Sequence, residues 1–195
     1  MLLSMRLCVI ASIVLLIAIA GLSYLAAAAP VHTTKVEFTA DGKLKLPDGY
    51  REWVYVGASV TPNDLNNGHA LFPEFHSVYI DPESFADYQK TGEYRNGTVM
   101  VKELASVGGK EESSGKGYFM GTFNSLEVSI KDSKRFKDEP GSWAYFSFEY
   151  KPTVEKEAAP HATVACNKCH QDNAEEDFVF SQDYPVLRAS KPQSK

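Results

Sequence analysis

Five mainly hydrophobic segments of the chain, separated by polar segments, have the pattern that is typical of β-strands. They are rich in aromatic and β-branched residues, and turn-forming glycine, proline and asparagine residues stand between them. The segments are residues 50–60 (YREWVYVGASV), 74–80 (EFHSVYI), 98–107 (TVMVKELASV), 118–130 (YFMGTFNSLEVSI) and 142–150 (SWAYFSFEY). This pattern predicts a body built mainly from antiparallel β-strands.

Two segments carry the signals of helices. In residues 81–92 (DPESFADYQKTG), Asp81 suits the N-cap, Pro82 the first helical position and Gly92 the position after the last turn. Residues 161–177 (HATVACNKCHQDNAEED) predict a second helical segment near the C-terminus. The predicted fold class is therefore α+β, a predominantly antiparallel β-sheet with a few helices.

The C-terminal helical segment contains the sequence CNKCH, in which two residues separate Cys166 from Cys169 and His170 follows at once. This spacing is typical of c-type haem, which is held by two cysteine thioethers and by a histidine on the iron. A structural disulfide between the cysteines would give the adjacent His170 no role, and a site for another metal is the remaining alternative. We therefore predict that this segment carries a covalent haem c.

The sixth coordination position of the iron decides what such a haem can do. Electron-carrying c cytochromes fill it with a methionine that follows the motif, but no methionine follows Met120 in this chain. Met100 and Met120 lie in predicted strands, where a core role is the simpler interpretation. The other histidines of the exported chain, each a candidate ligand, are His32, His69, His76 and His161. The default prediction is an open position, which favours the binding of a small molecule.

Lys102 interrupts the apolar strand at residues 98–107. Alternation places Met100, Lys102 and Leu104 on one face of that strand. If the face is buried, the ammonium is costly, and a neutral amine there could bond covalently to an activated cofactor. If the face meets solvent, Lys102 only extends its ammonium into water. The pattern leaves both interpretations open.

Glu127 is the second charged residue in an apolar strand. Strict alternation places it on one face with Phe119, Phe123 and Ser125. A carboxylate among aromatic rings could exchange protons with a bound substrate, whereas on an outer face it would simply point to water. Again the pattern alone does not choose between them.

The N-terminal residues have the organisation of a secretory signal peptide. Arg6 precedes a long apolar run, and Ala26 and Ala28 fit the small-residue rule for cleavage. We predict a signal peptide at 1–28 and an exported domain at 29–195. Because the apolar run is long, an uncleaved membrane anchor is the alternative.

Charge and composition narrow the function classes. The formal net charge is −5, and the basic residues are scattered and outnumbered by acidic ones, which argues against nucleic acid as a partner. A hydrophobic fraction of 44% is sufficient for a packed core in one domain of this length.

Nine segments, spread over nearly the whole of residues 29–195, resemble the cytochrome P-460 family of periplasmic c-haem enzymes. They are YREWVYVG, VTPNDLN, VYIDPESFADYQKTGEYRNGTV, VKEL, GYFMG, LEVSIKDSKRF, EPGSWAYFSF, CNKCH and YPVLRA. The resemblance implies a β-rich α+β fold, a homodimer and a periplasmic location. It also implies an enzyme that oxidises hydroxylamine to nitrous oxide or nitrite and passes the electrons to a soluble acceptor such as a c-type cytochrome.

The resemblance assigns roles to particular residues. The lysine of VKEL, Lys102, matches the lysine that the family cross-links to a meso carbon of the haem. The glutamate of LEVSIK, Glu127, matches the family's distal carboxylate, and Phe72 or Phe75 corresponds to a distal phenylalanine. Catalytic roles are thus implied for Lys102 and Glu127. At His76 we expect the polarity of the pocket to differ from that of related enzymes.

Two other functions compete with the enzyme. A protein like cytochrome c′-β would bind nitric oxide at an apolar distal site, without a cross-link. A simple electron carrier would need a strong sixth ligand. Lys102 and Glu127 favour the enzyme, because an apolar gas site requires neither residue.

Overall fold

The structure is a computed structural model that describes residues 36–193. The predicted signal peptide at 1–28 and His32 lie outside the described residues. Within that range the strands are β1 (Leu44–Lys45), β2 (Val54–Val60), β3 (Phe75–Ile80), β4 (Val99–Val107), β5 (Glu111–Glu112), β6 (Gly115–Lys116), β7 (Met120–Lys131), β8 (Trp143–Glu149) and β9 (Glu157–Ala158). The α-helices are α1 (Pro82–Thr91), α2 (Asn167–Asn173) and α3 (Pro185–Ser190). Among these helices none has the length and apolar character needed to cross a membrane.

The central sheet has five antiparallel strands in the order β2, β3, β4, β7, β8. Two pairs of very short strands, β1 with β9 and β5 with β6, lie outside it. The predicted α+β class, mainly antiparallel with a few helices, is confirmed. All five predicted strand segments contribute to the central sheet. The first begins later than predicted, because residues Tyr50–Glu52 form a 3₁₀ turn before β2.

One face of the sheet carries a continuous hydrophobic core. Its central members lie on β4, β7 and β8, and residues of the N-terminal segment and of β9 pack against them. The buried residues of this cluster are Leu44, Tyr50, Val99, Val101, Leu126, Val128, Ile130, Ala144, Phe146, Phe148 and Ala158. Since residues two apart on a strand share a face, the residues between them in β4 and β7 point to the opposite side.

The opposite face is covered over part of its area. There Ile80, Met100 and Trp143 pack against Tyr88 of α1 and Leu187 of α3 in a second buried cluster. Met100 is thus a core residue, as predicted. Met120, at the start of β7, is 54% exposed, so the core role predicted for it is wrong.

Helix α1 begins and ends where the local sequence signals predict. The carboxylate of Asp81 accepts a hydrogen bond from the backbone N–H of Ser84 at 2.9 Å, Pro82 is the first helical residue, and Gly92 has the left-handed φ of 73°. The second oxygen of Asp81 accepts from the N–H of Val99, also at 2.9 Å, so this buried carboxylate joins α1 to β4.

Replacing Asp81 with alanine should lower the free energy of unfolding by about 2–3 kcal/mol, because two buried N–H donors lose a charged acceptor. Urea denaturation followed by circular dichroism measures the change. Asp81→Asn retains one carbonyl oxygen and should lose about half as much. Equal stability of the alanine variant and the wild type would contradict the role given to this residue.

A β-bulge in β7 changes which residues accompany Glu127. Leu104 pairs with Ser125 but Ala105 pairs with Phe123, so Asn124 is an extra residue in β7. The bulge reverses the alternation beyond it, and Phe123 packs against the core on the opposite face. The predicted aromatic neighbour Phe123 is therefore wrong for Glu127, because strict alternation cannot anticipate an inserted residue.

Candidate haem-binding site

Helix α2 presents the C-x-x-C-H residues from its first turns. The buried side chain of Asn167 donates a hydrogen bond from Nδ2 to the carbonyl of Trp143 at 2.8 Å, which fastens the start of the helix to β8. The N–H of His170 donates to the carbonyl of Cys166 at 3.1 Å. Both cysteines are free thiols, Cys166 half-buried and Cys169 exposed. Two thiols and an imidazole thus lie side by side on one short helix.

His170 is held with one particular nitrogen free. Its Nδ1 lies 2.7 Å from the carbonyl oxygen of Phe178. A carbonyl only accepts, so Nδ1 carries the proton and Nε2 keeps its lone pair. The ring also packs between Tyr145 and Phe180, with centroid distances of 4.4 and 4.8 Å. Such an imidazole, oriented through one nitrogen, is the usual arrangement of a histidine metal ligand.

The electrostatic surroundings keep His170 neutral. Burial lowers the pKa of its imidazole, and the positive charge of Lys102 lowers it further, whereas the hydrogen bond to Phe178 and the charge of Glu127 act in the opposite direction. A neutral imidazole is the form that binds a metal ion. The donor set on α2 therefore fits a c-type haem.

The turn that supplies the Phe178 carbonyl depends on Gly141. Gly141 has φ of 61°, and a Cβ atom there would lie 2.4 Å from Cε2 of Phe178. Gly141→Ala should therefore lower the free energy of unfolding by about 2–4 kcal/mol and displace the acceptor of His170. Urea denaturation and the optical spectrum of the purified protein measure the two effects.

Gly97 provides a matched control for that prediction. It too has a positive φ, 93°, but a Cβ atom there would have no neighbour within 4 Å. Gly97→Ala should cost only about 1 kcal/mol and leave the spectrum unchanged. If both variants behaved alike, packing of Phe178 against Gly141 would have no part in orienting His170.

Lys102 and Glu127 face each other across the two central strands of the sheet. They are direct partners in the register of β4 and β7, and Nζ of Lys102 lies 2.7 Å from Oε2 of Glu127. Their side chains are 24% and 31% exposed, so both groups are half-buried. Lys102 therefore does not simply extend its ammonium into water.

Phe72 completes this side of the site. Its ring centroid lies 4.9 Å from Nζ of Lys102, and its ring stands edge-on to His76 at 6.1 Å. Phe75 directly precedes His76 in β3, so its side chain points to the other face of the sheet. Of the two phenylalanines that the resemblance offered, Phe72 is the one at the lysine.

The C-x-x-C-H residues of the helix and the charged pair on the sheet lie close enough to influence each other electrostatically. The pKa of the Cys166 thiol is raised by burial and then by the negative charge of Glu127, while Lys102 opposes the rise. His170 responds to both charges as well. Tyr145, which packs against His170, lies two residues from Ser147, the register partner of Glu127, so the helix and the ion pair lie on the same face of the sheet.

The other candidate ligands are dispersed. His69 is exposed in the loop before β3, and Nε2 of His161 lies 2.7 Å from the Ser147 hydroxyl on β8. His76 is the histidine nearest to Lys102 in the contacts described above. Sequence reasoning missed Tyr145, Phe178 and Phe180 as neighbours of His170. The alternation of β8 and the aromatic residues soon after the motif were the available signals.

Comparison with protein families gives a match over most of the described chain. The family model for Cytochrome P460 matches residues 47–181, which contain β2 to β9, α1 and the C-x-x-C-H helix. A search of curated proteins found none that matches the chain.

Proposed function

Since this chain belongs to the cytochrome P460 family, a family of c-type haem proteins, we propose that it oxidises hydroxylamine to nitrous oxide or nitrite. The observation that carries the proposal is that Lys102 and Glu127 lie together, half-buried, on the face of the sheet against which His170 packs through Tyr145. A nitric oxide carrier with an apolar distal site would need neither charge. An electron carrier would need a strong sixth ligand instead.

Four residues would hold the haem. Cys166 and Cys169 would form the thioethers, and Nε2 of His170 would bind the iron because Nδ1 is engaged by Phe178. Lys102 would add a third covalent link, from Nζ to a meso carbon. Forming this link removes one hydrogen from the amine and one from the haem carbon, so an oxidant such as a peroxide must take up two electrons.

When bound, the haem supplies an iron with an open position for the substrate and accepts its electrons. Protein side chains would accept the protons that the substrate releases. In the structure Oε2 of Glu127 is paired with the Lys102 ammonium. A bond from Nζ to a haem carbon would remove that positive charge and the ion pair. The carboxylate of Glu127 would then be free to accept the protons that hydroxylamine releases on oxidation.

Membership of the family also supports proposals for the domain bounds, the cellular location, the oligomeric state and the electron acceptor. We propose that residues 29–195 form the haem domain, that it works in the periplasm after export, and that it is a homodimer. A soluble acceptor such as a c-type cytochrome would take the electrons. The signal-peptide pattern at 1–28 supports export, and the family resemblance supports the remainder.

The proposed function is tested with the purified protein in three measurements. We expect a ferrous Soret band well to the red of ordinary c haem, a tryptic peptide with Lys102 that elutes attached to the haem peptide, and hydroxylamine-dependent reduction of an added acceptor. An ordinary c-type band, with neither the cross-linked peptide nor turnover, would indicate that the protein binds a gas or transfers electrons instead.

A further inference from the structure

His76 has a buried nitrogen for which the described residues provide no partner. Val78, two residues along β3, pairs with Lys102, so His76 points to the same face of the sheet as the lysine. Its Nδ1 lies 3.4 Å from the hydroxyl of Ser59 on β2. Its Nε2 is buried without any hydrogen-bond partner. An unpaired buried polar atom is unfavourable, which points to a partner that occupies the site in the working protein.

The groups around His76 keep its imidazole neutral. Burial lowers the pKa of His76 to about 4, and the Lys102 ammonium contributes to the decrease, while the negative charge of Glu127 and a hydrogen bond from the ring to the backbone of Phe72 oppose it. A neutral imidazole has one N–H and one lone pair. We assign the N–H to Nδ1, which lies beside the Ser59 hydroxyl, so the lone pair is on Nε2, the atom without a partner.

We infer that His76 is a specificity-determining residue of this site, and that its Nε2 accepts a hydrogen bond from a small ligand that carries N–H or O–H. The inference rests on the proposed function and names the feature of the ligand that this side of the site selects. Phe72 stands beside the imidazole and supplies an apolar wall.

Such an acceptor discriminates between the two ligands considered for this site. Hydroxylamine has protons on both nitrogen and oxygen, so it satisfies Nε2. Nitric oxide has none, and binding it leaves the lone pair unpaired. Sites built to hydrogen-bond a ligand discriminate strongly against analogues that lack the required group. His76 thereby favours hydroxylamine over nitric oxide without contributing a charge.

The test is equilibrium binding of hydroxylamine and of nitric oxide to the ferric haem-loaded protein, followed optically without an electron acceptor. His76→Leu should weaken hydroxylamine binding about fivefold to tenfold, the usual effect of one lost hydrogen bond, and change nitric oxide binding less than about twofold. His76→Gln, which keeps a polar end, should bind hydroxylamine almost as the wild type does. His69→Gln, in an exposed loop, is the matched control and should change neither affinity.

Several outcomes would overturn the inference. Unchanged hydroxylamine affinity in His76→Leu would show that Nε2 makes no bond to the ligand. Equal weakening for both ligands would show that His76 only maintains the shape of the pocket. A wild type that does not bind hydroxylamine would exclude the contact altogether. By contrast, selective binding without turnover would support the inference while disproving the proposed function, so the two failures are distinguishable.

Discussion

Replacing Lys102 with arginine should reduce hydroxylamine turnover at least about 100-fold, although the protein still carries haem on Cys166, Cys169 and His170. Arginine preserves the positive charge opposite Glu127, where the lysine ammonium now lies at 2.7 Å. Its guanidinium remains protonated at any accessible pH, so it cannot become the nucleophile that a covalent link requires. The variant thus separates the charge of Lys102 from its chemistry.

Three readouts distinguish this expectation from simple misfolding. The Lys102→Arg variant should show an ordinary c-type spectrum, lack the tryptic peptide that joins residue 102 to the haem, and unfold at a urea concentration close to that of the wild type. Lys110→Arg is the matched control, because Lys110 is an exposed lysine that also pairs with a carboxylate, Asp64. Undiminished turnover in Lys102→Arg would remove Lys102 from the mechanism.

Local signals were sufficient wherever the structure is set by neighbours in sequence. Helix α1 begins and ends as predicted because Asp81, Pro82 and Gly92 act on the backbone within one turn. The residues that share a face with Lys102 were likewise predictable, since β4 is regular from Val99 to Leu104 and alternation holds there, but the burial of that face was not. These predictions needed no knowledge of the partner strands.

Predictions failed where a distant partner decides the geometry. Phe123 does not share a face with Glu127 as predicted, because β7 has one residue more than β4 across the bulge at Asn124. Met120 is exposed because it lies at the far end of β7, beyond the covered area of the sheet. Neither effect has a signature within the strand itself, because both depend on pairing between strands far apart in sequence.

The site was predictable in its members but not in its arrangement. Spacing alone identified Cys166, Cys169 and His170, whereas Lys102 and Glu127 were left open by the pattern and assigned by resemblance. Their direct pairing follows from the register of β4 against β7. The carbonyl that orients His170 belongs to Phe178, whose φ of 64° reflects a tight turn after the helix. Such a backbone conformation is uncommon for a bulky residue, and the sequence does not indicate it.

Glu127→Gln should leave the haem and its lysine link in place and slow hydroxylamine turnover about 100-fold. Glutamine has nearly the same shape, and its amide oxygen can still accept a hydrogen bond from Lys102 before the link forms. What the amide cannot do is take up a proton from the substrate. The cross-linked peptide should therefore persist while steady-state turnover falls, and hydroxylamine affinity should change far less than turnover.

Glu103→Gln distinguishes the loss of this carboxylate from the general effect of removing a negative charge. Glu103 is the neighbour of Lys102 in β4, points to the other face and pairs with Arg51. It should therefore have little influence on turnover. Glu103→Gln should keep the dependence of turnover on pH that the wild type shows, whereas the low activity of Glu127→Gln should follow a different dependence. If Glu127→Gln matched the wild type across the pH series, the protons of hydroxylamine would leave through another group, and Glu127 would serve only to position Lys102.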